Sequence, residues 1–306
     1  MQKTVKSPVR FEGVGLHSGI PAMMIVNPAS AETGIWFRRT DIDHGDRMIA
    51  ARWNMVSDAR LCTKIENESG VSVSTIEHIM AALAGCGIQN AIIEIDGPEV
   101  PILDGSSAKF VAAILDRGVR ELDAPVQALR VLKPVEVRVG DGFARLEPAE
   151  TMEMRFHIDF ADEAIGTQNK TLNLANGSFV RELCDSRTFC RQADVAAMRA
   201  AGLALGGSYE NAVVVEGDQI LSPGGLRHAD EAVRHKMLDA LGDLALAGAP
   251  IIGRYTGVKA GHAVTNRLLH ALFADPRAVQ IETCGPQISA QLPGAHLTQD
   301  DLALVD

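Results

Sequence analysis

The stretch Ala82-Leu83-Ala84-Gly85, followed by Ile92-Ile93-Glu94-Ile95, governs the interpretation of the fold because it recurs near the other end of the chain. The recurrence is Ala245-Leu246-Ala247-Gly248, followed by Ile251-Ile252. In both copies a helix-period pattern stops at a glycine suited to the left-handed position after a helix, and a β-branched run soon follows. Short matches between Ala/Leu-rich helices also arise by chance, so internal duplication and coincidence both stay open at this point.

Strand-like and helix-like stretches alternate irregularly, which favours an α+β fold with helices layered on sheets over a regular parallel array. Alternating residues predict strands at 23–26, 35–39, 131–139, 152–160 and 212–215. Helical periodicity predicts helices near 75–84, 107–117, 178–184, 192–201, 230–247 and 264–273. Pro125 is the best candidate for a boundary between two domains. We therefore predict an N-terminal α+β domain over 1–125 and a C-terminal α+β domain over 126–306.

The composition is that of a globular, soluble chain with 306 residues, of which 46% are hydrophobic. Twenty-nine basic against 39 acidic side chains give a net charge of −10, which argues against nucleic acid or an anionic membrane as a partner. No segment reads as a secretion signal or an integral membrane span, so we expect a cytoplasmic location. The five scattered cysteines have no CxxC spacing and indicate neither a disulfide framework nor a cysteine zinc site.

The strongest candidate for chemistry is Arg234-His235-Lys236-Met237-Leu238-Asp239. Residues four apart share one face of a helix, so His235 and Asp239 could offer an imidazole and a carboxylate to one ion. A catalytic zinc needs a third protein ligand and an open position for water. The simpler alternative is a solvated acidic face, running from Glu231 to Asp243, on which His235 only pairs with Asp239.

A second candidate, Ser74-Thr75-Ile76-Glu77-His78, opens a predicted helix. Taken singly, Ser74 and Glu77 fit a capping box, in which the serine accepts an amide proton and the glutamate reaches back to the cap. Capping does not explain His78. This histidine places a potential metal ligand beside a carboxylate that could hold a water molecule.

Two further segments contain reactive side chains but indicate no function alone. His262, in Lys259-Ala260-Gly261-His262, would usually be a surface loop residue. Thr188, in Arg187-Thr188-Phe189, has a hydroxyl that could donate to a developing oxyanion. Other motifs are excluded by spacing: there is no HExxH, P-loop or GxSxG sequence, and the glycines of 13–19 do not form a dinucleotide-binding fingerprint.

Eight motifs follow one another along the chain: Gly13-Val14-Gly15-Leu16-His17-Ser18-Gly19, Ser74-Thr75-Ile76-Glu77-His78, Ala82-Leu83-Ala84-Gly85, Ile102-Leu103-Asp104-Gly105-Ser106, Arg187-Thr188-Phe189, Leu205-Gly206-Gly207-Ser208, Arg234-His235-Lys236-Met237-Leu238-Asp239 and Lys259-Ala260-Gly261-His262. In this order they resemble the motifs of the UDP-3-O-acyl-N-acetylglucosamine deacetylase family, zinc enzymes of lipid A synthesis. The resemblance spans almost the whole chain.

The resemblance implies a fold and a set of residue roles. The fold is two related α+β domains, each a sheet layered with helices, with the active site between them. One catalytic Zn²⁺ is bound by His78, His235 and Asp239. The other catalytic roles fall to Glu77 as base, His262 as cationic or acid partner, Asp243 as the residue that orients His262, and Thr188 at the oxyanion.

The resemblance also implies a substrate, an acylated UDP-amino sugar bound by a monomeric enzyme. Its UDP-sugar end would be faced by Lys236, Phe189, Lys259 and Phe160, and an insert around 190–215 would line a passage for the acyl chain. Three alternatives stay open: a zinc amidase acting on a different acylated amino sugar, a non-catalytic nucleotide-sugar binding protein, and an interaction scaffold whose polar sites are structural.

Overall fold

The computed structural model describes residues 1–304, so the last two residues of the predicted C-terminal domain lie outside the described part. Within that range helices pack on several sheets, and the predicted α+β class is confirmed. No helix of residues 1–304 is both long and apolar enough to cross a membrane.

The residues before Pro125 form mainly short strands, with two helices. The strands are β1 (Lys3–Val5), β2 (Val9–Val14), β3 (Pro21–Pro28), β4 (Ile35–Arg39), β5 (Met48–Ala50), β6 (Val56–Asp58), β7 (Lys64–Glu66), β8 (Ser72–Val73), β9 (Ala91–Ile95) and β10 (Val119–Glu121). The helices are α1 (Glu77–Gly85) and α2 (Ala108–Arg117).

The residues after Pro125 form a larger sheet and five helices among those described. The strands are β11 (Gln127–Val131), β12 (Val135–Val139), β13 (Gly142–Glu147), β14 (Met152–Asp159), β15 (Thr167–Asn173), β16 (Phe189–Arg191), β17 (Val213–Glu216), β18 (Gln219–Ile220), β19 (Ile251–Val258) and β20 (Val279–Thr283). The helices are α3 (Ser178–Glu182), α4 (Gln192–Ala200), α5 (Glu231–Ala245), α6 (His262–Ala274) and α7 (Pro286–Ser289).

The two halves repeat one topology, which supports duplication over coincidence. In the first half the strand order is β2-β3-β9-β4-β5, with β9 antiparallel to β3 and parallel to β4. In the second half β12, β13, β19, β14 and β15 pair in the same order and with the same relative directions. In each half the central strand follows one helix and precedes another, α1 and α2 around β9 and α5 and α6 around β19.

Each half carries an additional segment at the equivalent position, between the last strand of the repeat and the helix before its central strand. In the first half this segment contains the small sheet β6-β7-β8. In the second half it contains α3, α4 and the sheet β16-β17-β18. The predicted insert around 190–215 lies in the second segment. Of the functional candidates outside the helices, Thr188 and Phe189 lie in the second segment.

The helices α1 and α5 pack against each other, and α5 also contacts α6 and the strands β14 and β15. Both helices are buried on nearly all sides, and one cluster of buried apolar side chains runs through both halves. A helix buried all round cannot leave a polar face in water. The polar side chains of these two helices are therefore forced into the interior, between the two halves.

Two local predictions were wrong. Gly85 does not adopt the left-handed conformation; Gly87 does, with φ +69°. Gly85 instead allows close packing, because a Cβ atom there would lie 2.0 Å from the ring of Phe179. The predicted strand over 131–139 is two strands, because Pro134 interrupts the run between β11 and β12 and cannot donate a ladder hydrogen bond.

Candidate active site

Three side chains from α1 and α5 converge on one point in the interior. His78, His235 and Asp239 each offer one atom within 4.8 Å of the other two. Asp239 Oδ1 lies 3.6 Å from His78 Nε2 and 3.3 Å from His235 Nε2. All three residues are at least 95% buried. The pair predicted on α5 therefore gains a third candidate ligand, His78, from α1.

The donor set fits a zinc ion. His235 Nδ1 donates to the carbonyl oxygen of Ser186 at 3.0 Å, which leaves its Nε2 lone pair facing the cluster. Burial lowers the pKa of His235 to about 4, so the imidazole is neutral, the form that binds a metal. Asp239 Oδ1 is buried with no hydrogen-bond partner among the described residues, whereas a metal ion there would satisfy it.

Lys236 lies beside the cluster. Its Nζ donates to Asp239 Oδ2 at 2.8 Å, the oxygen that does not face the two histidines. Burial opposes the charge of Asp239, but the neighbouring cations, Lys236 and His262 among them, outweigh it and hold the pKa of that carboxyl well below its usual range. Asp239 is therefore charged at neutral pH, as a zinc ligand must be.

Glu77 is the first residue of α1, and the capping interpretation of this residue was wrong. The helix begins after Ile76 without a side-chain cap, and the Ser74 hydroxyl donates to the carbonyl oxygen of Pro98 instead. Glu77 points into the interior, where its Oε2 accepts the backbone N–H of Thr63 at 3.0 Å. Burial raises the pKa of the carboxyl, and the nearby His262 and His78 oppose that rise. A carboxyl with a raised pKa is suited to take a proton near neutral pH.

His262 begins α6 and is buried, so the surface-loop interpretation of this histidine was wrong. Its Nδ1 donates to Asp243 Oδ2 at 2.8 Å, and its Nε2 lies 3.9 Å from Asp239 Oδ2. Burial opposes protonation, but the carboxylates of Asp243 and Asp239 outweigh it and raise the pKa of His262 to about 9. The imidazolium is therefore the form present at pH 7, with Nε2–H directed toward the cluster.

The solvated acidic face proposed for α5 is wrong, because Glu231, His235, Asp239 and Asp243 are all buried. Glu231 lies outside the cluster. Its carboxylate accepts both the side chain and the backbone N–H of Arg187, at 2.9 Å each, and the backbone N–H of Arg227 at 2.7 Å. This ion pair fixes the start of α5 against the segment that precedes Thr188.

Three of the four residues predicted at the substrate end cluster around Phe189, which lies beside His235. The Phe189 ring is 6.3 Å from the imidazole of His235 and 5.4 Å from the ring of Phe160. Lys236 Nζ lies over the Phe189 ring at 5.8 Å from its centre. The fourth, Lys259, lies in the loop before α6, partly exposed, and pairs with Asp141 at 3.2 Å and Asp159 at 3.1 Å.

Thr188 is held by backbone hydrogen bonds on both sides. Its N–H donates to the carbonyl oxygen of Gly105 at 2.7 Å, and its own carbonyl accepts the N–H of Val213 at 2.8 Å. Thr188 and Phe189 are among the residues that line a groove of about 230 Å³. The rest of the groove is lined largely by apolar side chains of the second additional segment, including Val195, Met198 and Val214.

A sequence model of the UDP-3-O-acyl N-acetylglycosamine deacetylase family (LpxC) matches residues 2–274. The chain belongs to this family. Three relatives carry the name UDP-3-O-acyl-N-acetylglucosamine deacetylase. The Phenylobacterium zucineum (strain HLK1) protein is 51% identical over 282 residues, or 92% of this chain and 96% of the relative. The Anaeromyxobacter dehalogenans (strain 2CP-C) protein is 44% identical over 307 residues, covering 99% and 98%. The Shewanella frigidimarina (strain NCIMB 400) protein is 42% identical over 300 residues, covering 96% and 98%.

Sequence reasoning about this family member missed Glu99, which explains the glycine-rich stretch over 13–19. The buried carboxylate accepts the backbone N–H groups of His17 and Ser18, at 2.9 and 2.8 Å, and the hydroxyl of Thr75 at 2.7 Å. It thereby ties that stretch to the residues just before α1. A Cβ atom on Gly15 would lie 2.3 Å from this carboxylate. No spacing in the sequence relates Glu99 to either segment.

Sequence reasoning also missed the segment of Cys62 and Thr63. Burial raises the pKa of the Cys62 thiol to about 12, so this cysteine is not a thiolate ligand or nucleophile at neutral pH. Thr63 is buried between Glu77 and Asp243 and contacts both. No motif in the sequence indicates this position.

Proposed function

We propose that this protein hydrolyses the N-acetyl group of UDP-3-O-acyl-N-acetylglucosamine, an early step of lipid A synthesis. Water adds to the acetyl carbonyl carbon, the C–N bond breaks, and acetate and UDP-3-O-acyl-glucosamine leave. The observation that carries the proposal is the buried convergence of His78, His235 and Asp239 beside two further groups of opposite charge, Glu77 and His262. Membership of the deacetylase family supplies the substrate.

His78, His235 and Asp239 would hold one Zn²⁺. When bound, such an ion lowers the pKa of a coordinated water from 15.7 to roughly 7 and polarises a carbonyl oxygen. The three residues leave a fourth position open if each supplies one ligand atom, which is the arrangement of a catalytic rather than a structural zinc site.

Glu77 acts as the general base in this proposal. Its Oε2 is engaged by the N–H of Thr63, so Oε1 is the oxygen available to accept a proton from the attacking water. His262 is the cationic partner, held by Asp243, and its Nε2–H can stabilise negative charge on the carbonyl oxygen. Thr188 would donate to the same oxygen. His262 or Glu77 then delivers a proton to the departing amine nitrogen.

The remaining roles concern binding. Lys236, Phe189 and Phe160 would face the UDP-sugar, because Lys236 and Phe160 contact the Phe189 ring and that ring lies beside His235. Lys259 would bind the anionic end of the substrate from the loop before α6, and this contact would replace its ion pairs with Asp141 and Asp159. The groove along the insert around 190–215 would take the acyl chain, since its lining beyond Thr188 is mostly apolar.

We also propose a division into domains near Pro125, a monomer, and a cytoplasmic location. Each of the two repeats completes its sheet on its own side of Pro125. The whole site is assembled from one chain. All five cysteines lie within residues 1–304 and none is paired there, the state expected in a reducing compartment.

Acetate release from UDP-3-O-acyl-N-acetylglucosamine, measured with and without a chelator, tests this function. We expect release that a chelator abolishes and Zn²⁺ restores. Release from another acylated amino sugar alone would favour the different zinc amidase. Tight binding of the substrate without acetate release would favour the non-catalytic binding protein, and a native protein that is free of metal would favour the scaffold.

A further inference from the structure

Thr63 joins the two parts of the site that handle protons. It lies just before β7, in the additional segment of the first half, and is 1% exposed. Its backbone N–H donates to Glu77 Oε2 at 3.0 Å. Its hydroxyl donates to Asp243 Oδ1 at 2.5 Å, across 180 positions of sequence. One residue thus contacts both the proposed base and the carboxylate that holds His262.

The two contacts determine which oxygens remain available. Each carboxylate has two oxygens, and Thr63 occupies one on each. Asp243 Oδ2 is then left for His262 Nδ1, and Glu77 Oε1 is left for the reaction. Since a buried carboxylate without a donor on one oxygen rotates to find one, the hydroxyl of Thr63 limits the orientation of Asp243 and hence of the imidazole.

We infer that Thr63 is a positioning residue, which aligns the Asp243–His262 pair relative to Glu77 through its hydroxyl without touching the substrate. The inference rests on the proposed function for its kinetic consequence, although the alignment itself is a property of the protein alone. The hydroxyl is the part that a substitution can remove, because the N–H to Glu77 is retained by any residue except proline.

The test compares Thr63→Val, which replaces the hydroxyl with a methyl group, with Thr63→Ser, which keeps the hydroxyl. Thr4→Val is the matched control: Thr4 is also fully buried in the first half, and its hydroxyl accepts the N–H of Ala29 at 3.0 Å, away from the site. Steady-state kinetics are measured with zinc content determined for each variant. For Thr63→Val we expect kcat to fall on the order of 10- to 100-fold with KM within about twofold, because a small misplacement near the chemistry costs turnover. Thr63→Ser and Thr4→Val should stay within about threefold of wild type.

A second measurement separates failure of this inference from failure of the proposed function. In zinc-free protein labelled with ¹⁵N-histidine, the Nδ1–H resonance of His262, assigned with His262→Gln, should be protected from exchange in wild type and in Thr63→Ser. Thr63→Val should lose that protection. If wild type releases no acetate while this pattern holds, the function is wrong and the alignment stands. Equal turnover in Thr63→Val and an active wild type, or protection that is unchanged in Thr63→Val, would overturn the inference.

Discussion

Gly242 of α5 lies against the backbone of Glu77 at the start of α1, so closely that a Cβ atom on Gly242 would be 2.0 Å from the carbonyl oxygen of Glu77. Backbone cannot move aside as a flexible side chain can. The absence of a side chain at this one position therefore sets the distance between the two helices that provide the proposed zinc ligands.

Replacing Gly242 with Ala should separate α1 from α5 at the site. We expect a loss of about 1–3 kcal/mol in the free energy of unfolding, the usual cost of overpacking a buried contact. Zinc affinity should fall too, because His78 moves relative to His235 and Asp239. Denaturant unfolding and zinc titration check both effects. Gly285→Ala is the control, since nothing lies within 4 Å of a Cβ atom there; equal behaviour of the two variants would show that the contact is unimportant.

Removal of a proposed ligand should abolish stoichiometric zinc. For His235→Ala, and for Asp239→Asn, we expect the purified protein to contain little zinc and to gain no thermal stability when zinc is added. Wild type should be stabilised by zinc, because a ligand that binds only the folded state raises its stability. Metal analysis and thermal melts measure this. Stoichiometric zinc in both variants would exclude these residues as ligands.

The pH dependence of activity should have a basic limb that belongs to His262. The pKa of this imidazole is raised to about 9, so the required cation is present below that pH and is lost as pH rises through it. Folding stability has the same pH dependence. The ion pair of His262 with Asp243 contributes most to the free energy of unfolding below the ordinary pKa of 6.5, and this contribution is lost as pH rises through about 9. We expect His262→Gln to lower kcat and to lose the basic limb, and exposed His270→Gln to keep it. A basic limb that persists in His262→Gln would assign it to another group.

The buried pair of Arg187 and Glu231 should protect the protein against acid. Burial opposes the charge of Glu231, but hydrogen bonds from Arg187 outweigh it and lower the pKa of the carboxyl below 4.5. Its contribution is fully present above pH 4.5 and is lost as pH falls through the lowered pKa. We expect Glu231→Gln to cost about 3 kcal/mol at pH 7, because Arg187 is left buried and unpaired.

Denaturant unfolding at several pH values checks this expectation, with exposed Glu121→Gln as the control. The difference between wild type and Glu231→Gln should shrink as the pH falls below 4.5. A difference that does not vary with pH would contradict the assignment of this acid sensitivity to Glu231.

Local patterns predicted several elements well. The strand predicted at 35–39 is β4, and the helix predicted at 230–247 is α5, shortened to Glu231–Ala245. A four-residue match between the halves was not enough to distinguish internal duplication from coincidence. What the two halves share is the order and direction of their strands, and the spacing of residues in the sequence does not encode these. The strand prediction over 131–139 failed because Pro134 ends the ladder between β11 and β12 even though the residues around it alternate.

For the site, the sequence predicted the pairing of His235 and Asp239 from helix geometry, but it could not show whether their face was buried. That depends on α1 packing against α5, a contact between residues far apart in sequence. The capping interpretation of Glu77 failed for the same reason: the interior offered the carboxylate a donor, Thr63, that local sequence does not show. Thr63 and Glu99 belong to no motif, because they act through contacts made only by the folded chain.

The central claim is that Glu77 moves a proton for a reaction at a zinc held by His78, His235 and Asp239. The most direct measurement is single-turnover acetate release by Glu77→Gln, with zinc quantified in the same sample. We predict that zinc stays stoichiometric while the rate of acetate release falls by at least about 100-fold, the usual contribution of a general base. A near-normal rate with zinc bound would contradict the claim.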